Sequence, residues 1–161
     1  MIDPTRQAKL DDPVVLDTIS TVLSGFIAVW DEPSKQAIQE CSDGAVSPTT
    51  IEHEVLYLRA FVIVFGLGRH LGDTKIKSAI LDRFHGRLTH LIPDTPTFLE
   101  RAADYARAVE ASDPDDVGGQ VGIVFARHCG KPGHADLASL GERQYAALSI
   151  VLPQFLLEAT K

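Results

Sequence analysis

"VLYLRAFVIVFGLG", residues 55–68, is apolar on nearly every side and carries a single charge, Arg59. A helix that is apolar all round is buried on several faces. A membrane span needs ~20 continuous apolar residues, and this stretch is too short and is interrupted by Arg59. Its reading as a helix at the centre of a bundle, or across a subunit interface, decides the fold. Thr49 with Glu52 three positions later makes a capping box to open this helix, which would then run to about His70.

Outward from this segment the chain reads as helical in both directions. Upstream, Asp12 and Pro13 make a cap-and-proline start, and Val15, Ile19, Val22, Leu23, Phe26 and Trp30 recur at helical spacing until about Pro33. A short helix over Ala37 to Cys41 precedes the turn-forming run Ser42, Asp43, Gly44. Downstream, Asp73 caps a helix with the stripe Ile76, Ile80, Phe84, Leu88 and Leu91, stopped by Pro93. Thr95 and Pro96 start another, with Phe98, Leu99, Ala102, Tyr105, Ala106 and Val109 facing inward as far as Asp113 and Pro114. A further helix spans Val117 to Gly130, with Val121, Val124, Phe125 and His128 on one face. The next runs from about Gly141 to Ala159 through Tyr145, Leu148, Val151, Leu152, Phe155 and Leu156, with a kink expected at Pro153.

No segment alternates with the period of two that marks a strand, and there is no long linker or repeat. The expected fold class is all-α: a single-domain bundle of five or six main helices with short connections, the central apolar helix lying around residues 50–70. A polar N-terminal segment, 1–12, precedes the helical domain, 13–161. At 161 residues one domain buries roughly 70% of its unfolded surface.

Composition narrows the function. The net charge is −7, and the densest basic stretch, Arg69 to Arg87, is interrupted by Asp73 and Asp82. No stripe of Lys and Arg is gathered to displace counterions from phosphates, so no nucleic-acid partner is expected, and no membrane partner either. The polar N-terminus lacks the apolar core of a signal peptide, which points to the cytoplasm. There Cys41 and Cys129 are reduced by default, although spacing alone leaves a bridge between them open.

The densest chemistry is "RHCGKPGH", residues 127–134. His128, Cys129 and His134 are ligand types from which an open zinc site can be built. Helical neighbours 128 and 129 point about 100° apart, and the competing reading is a helix ended by Gly130 and a turn at Pro132 and Gly133. His85 and His90 stand five residues apart, about 140° around a helix, and do not chelate one ion unaided. No Glu-x-x-His occurs, which removes the usual carboxylate-bridged di-metal bundle. His90, beside Leu88, Leu91 and Ile92, is the residue best placed for a haem, against the plainer role of packing or capping. No cofactor is therefore assigned, a transition metal and haem being the alternatives. The glycines of "DDVGGQVG", residues 115–122, follow Asp115 and Asp116, whose charge opposes a bound phosphate. Gly118 and Gly122 instead suit a close helix approach.

What remains is apolar surface. The expectation is a non-enzymatic helical interaction or regulatory module of the cytoplasm, working through protein contacts and self-association as a homodimer. Leu58, Phe61, Val62 and Phe65 are its expected interface. The alternative is a small-molecule, metal or cofactor-binding protein with a histidine-containing pocket.

Overall fold

Every helix but the one at Val117–His128 begins where a side chain satisfies backbone donors that no preceding turn reaches. In the computed structural model, which describes residues 10–44 and 46–161, Asp12 accepts from Val14 N at 2.9 Å and opens α1, Pro13–Ala28. Asp31 accepts from Ser34 N at 2.8 Å to open α2, Glu32–Cys41. Ser47 opens α3, Pro48–Leu71; Thr74 opens α4, Lys75–Leu91; Asp94 opens α5, Thr95–Ala111. Then follow α6, Val117–His128, and α7, Ala135–Ala159. Among the described residues there is no strand, and the chain is an all-α bundle.

Three caps differ from the expected ones by one or two positions. Proline occupies the first turn of α3, so the residue before it, Ser47 rather than Thr49, is the cap. Asp94 displaces Thr95 in the same way. Asp73 is released from capping and pairs with Lys77 Nζ at 2.6 Å. The larger correction is α7, which starts at Ala135 and not near Gly141: Leu137 and Leu140 already face the core, and Gly141 is interior to the helix. Pro153 sits inside α7, which continues through it. Of the expected polar segment, residues 1–9 lie outside the described residues, and Leu10 is buried in the core.

α3 lies at the centre and contacts each of the other six helices. Ile51, Val55, Leu58, Ala60, Ile63 and Leu67 are wholly enclosed. On α1 the buried face is Leu16, Ile19, Ser20, Leu23 and Ile27, so Val15, Val22, Phe26 and Trp30 sit at its margin, half-buried. Leu99 is exposed, against expectation, while Phe98 and Tyr105 carry the inner face of α5. The stretch Pro13–Cys41 is long and apolar enough, by length and composition, to cross a membrane. The chain nevertheless leaves helical geometry at residues 29–31, between α1 and α2.

Arg59 is the polar anchor of this core. It is only 5% exposed. Its Nη1 donates to the carbonyls of Ile27 at 3.0 Å and Val29 at 2.9 Å, and its Nε donates to Gln144 Oε1 at 2.9 Å. The guanidinium also lies 4.4 Å over the Trp30 ring. The carbonyls at a helix C-terminus carry partial negative charge, so the end of α1 compensates a cation that burial would otherwise make costly. One side chain thus ties α1, α3 and α7 together.

α6 and α7 meet through glycine. A Cβ at Gly122 would run into the backbone carbonyl of Ala138, and one at Gly141 would come within 2.5 Å of Phe125 Cβ. Gly122→Ala is therefore expected to destabilise the protein by about 1–3 kcal/mol through overpacking. Gly86→Ala, where a Cβ meets nothing within 4 Å, should stabilise it by up to about 1 kcal/mol. Urea unfolding midpoints of the two variants check the contrast.

Candidate functional site

"RHCGKPGH" folds as the connection between α6 and α7. Gly130 and Gly133 take φ of 84° and 81°, values that favour glycine, and reverse the chain. His134 then becomes the N-cap of α7, its Nδ1 accepting from Leu137 N at 3.4 Å. His128 turns the other way, its Nε2 lying 3.1 Å from Asp104 Oδ2 but outside hydrogen-bonding geometry. Cys129 is buried, and desolvation pushes its thiol up to about 12, so it stays protonated near neutral pH. The three residues stand in separate surroundings. Among the described residues no group of three or more His, Cys, Asp or Glu is arranged to hold a metal.

The remaining histidines are spread over the surface. His53, His70, His85 and His90 are exposed. His90, the haem candidate, stands in the last turn of α4, where a helix end favours a basic side chain. Cys41 and Cys129 are both free.

A polar cluster that the sequence reading passed over lies between α3, α5 and α6. Glu54, 4% exposed, is held by Arg101, whose Nε reaches Oε1 and Oε2 at 3.1 and 3.0 Å and whose Nη2 reaches Oε1 at 2.9 Å. Desolvation raises the Glu54 carboxyl above its ordinary range despite this pairing. Tyr105 is enclosed beside it, its hydroxyl without a hydrogen-bond partner among the described residues and its pKa driven well up by burial. The His128 ring meets the Tyr105 ring edge-on at 5.8 Å. Burial foremost, helped by Arg101, lowers the His128 pKa to about 4, with Asp104 opposing and Arg127 adding to the drop. A signal for Glu54 was present: with Ile51, Leu58 and Phe61 it falls on one face of α3. The cluster joins α3 to α5 through the Glu54–Arg101 ion pair and α5 to α6 through the Tyr105–His128 ring contact.

Leu58, Phe61 and Val62, the expected interface, are buried within the chain itself, and only Phe65 is half-buried. Phe61 packs its ring 5.4 Å from Tyr105 and 5.3 Å from Phe65. The apolar surface left outside belongs to α7 and α1. From Gln144 to Leu157 the chain "QYAALSIVLPQFLL" has no charged residue, although Ala146, Ala147, Ile150, Val151, Gln154 and Leu157 are exposed. Beside this face an apolar groove of about 430 Å³ runs between α1 and α7, lined by Val14, Val15, Ile19 and Phe155 among others. Phe26 closes one end of the pairing, edge-on to Phe155 at 5.6 Å. No family model matches this chain, and no curated protein or solved structure matches it either.

The depressed His128 pKa fixes a pH dependence. The unfolded histidine takes up a proton near 6.5 and the folded one only near 4, so stability is full above pH 6.5 and falls as the pH drops toward 4. Glu54, raised in the folded state, works in the opposite sense once the pH approaches carboxylate values. The expected loss is of the order of 1–3 kcal/mol. It should be visible in urea unfolding between pH 7 and pH 5 and largely absent in His128→Leu.

Proposed function

We propose that this protein is a non-enzymatic helical interaction module that self-associates through the outward face of α7. The observation that carries this reading is the uncharged, exposed stripe on that helix. Ile150 is 62% exposed and Leu157 57%. They stand seven residues apart, two helical turns along one line, with Ala146 and Gln154 between the same rows. Solitary exposed hydrophobics are ordinary on a protein surface; a row of them along the uncharged stretch Gln144 to Leu157 is not.

The stripe also suits a second copy of itself. Two α7 helices laid antiparallel about a two-fold axis would place Ile150 of each near Leu157 of the other, the self-complementary geometry of an isologous dimer. Ala146 and Ala147 are small enough to let the backbones approach. Val14, 71% exposed on the neighbouring α1, widens the apolar area. This replaces the earlier expectation that α3 carries the contact, since α3 is enclosed by its own chain.

Sedimentation equilibrium from micromolar to several hundred micromolar protein tests the proposal. The wild type should show a concentration-dependent dimer. Ile150→Asp combined with Leu157→Asp should weaken dimerisation at least about tenfold, some 1.4 kcal/mol, with unchanged circular dichroism and thermal unfolding. A wild type that stays monomeric throughout, or one that binds lipid vesicles through this face in place of a second copy, would overturn it.

A further inference from the structure

A second surface, distinct from the α7 stripe, holds unused hydrogen-bond capacity. Arg59 has five N–H donors; Nε and Nη1 use three of them on Gln144, Ile27 and Val29. The two N–H groups of Nη2 donate to no described residue, and no carboxylate forms an ion pair with Arg59 among the described residues. Arg59 nevertheless lines a cleft of about 230 Å³ together with Asp31, Ser34, Gln144 and the apolar Phe26 and Leu148. Nη2 is open to this cleft, where an acceptor from a ligand would replace water on its donors.

The cleft carries the opposite charge as well. Asp31 lines it, held by hydrogen bonds from Ser34 that keep its carboxyl below the usual range. Gln144 fixes both halves of the wall, accepting from Arg59 through Oε1 and donating from Nε2 to Ser34 Oγ at 2.9 Å. Asp31, Ser34 and Gln144 also line an adjoining hollow of about 180 Å³, and that hollow adds a second cation, Arg143. Together the two hollows are lined by two cations, Arg59 and Arg143, and one anion, Asp31.

We propose that this groove binds a small acidic α-amino acid or a close analogue. The α-carboxylate accepts from the free Nη2 donors of Arg59, the ammonium group sits beside Asp31, and the side-chain carboxylate extends toward Arg143. Arg59 serves two purposes, clamping the end of α1 and presenting donors to the ligand, so occupancy would also tighten the junction of α1, α3 and α7.

Isothermal titration with glutamate, glutamine and glutarate tests this on the full chain. Glutamate should bind saturably, with glutamine weaker for lack of the second carboxylate and glutarate weaker for lack of the ammonium group, each by at least tenfold. Asp31→Asn keeps a good helix cap while removing the charge, and should bring glutamate down to the level of glutarate. Arg143→Ala, at an exposed position, should bring it down to the level of glutamine. Arg143→Ala should retain the wild-type unfolding temperature without ligand, and Asp31→Asn should stay folded by circular dichroism with a modestly lowered one, because the fold favours the Asp31 charge. Absence of binding by all three compounds at millimolar concentration, or affinities for glutamate that neither variant changes, would overturn the proposal.

Discussion

A helix that is apolar around its whole circumference must be wrapped around its whole circumference. The constraint set by residues 55–68 shapes the bundle: α3 contacts all six remaining helices, most extensively α7 and α5, while α4 packs chiefly on α1 and α6 chiefly on α7. Burying a large apolar side chain contributes roughly 1.5–3 kcal/mol, so leaving any sector of α3 wet would forfeit a substantial part of the marginal stability of a domain this size. The short helix α2 follows from the same demand, as Ala37, Ile38 and Cys41 cover ground that α1 and α7 leave open.

Two charges nevertheless enter this interior, and each is matched differently. Glu54 receives a bidentate arginine from α5, a pairing whose geometry supplies directional bonds against the expense of desolvation. Arg59 receives backbone carbonyls and an amide in place of a carboxylate. Both act as registry marks within an otherwise greasy helix. Apolar contacts alone would tolerate rotation or sliding of α3, whereas these bonds fix one rotation and one height relative to α1, α5 and α7.

The fold class was legible because hydrophobic period and cap residues are local signals. The Asp12–Pro13 start and the stripe Ile76, Ile80, Phe84, Leu88 occur as read. The beginning of α7 was not, because Gly141 resembles a boundary in sequence and is in fact a contact with Phe125, a long-range fact that no local pattern contains. The same holds for the site residues. "RHCGKPGH" was visible as a cluster of reactive types, yet its positive-φ glycines turn the two imidazoles to separate partners. The expected interface failed for a related reason: apolarity marks residues that must be covered without saying whether the cover comes from the same chain. What sequence could have offered is the uncharged run from Gln144 to Leu157, informative only once α7 is known to lie on the surface.

The order of the helices along the chain gives α3 a vulnerable interval during synthesis. Its cover comes from both sides in sequence, and α7, one of the helices packed most extensively against it, emerges from the ribosome 64 residues after α3 is complete, from Leu71 to Ala135. Until then the nascent chain carries its central helix with one flank bare, a form that invites aggregation or chaperone capture. The length of that interval is set by α4, α5 and α6, which are all made between the two helices.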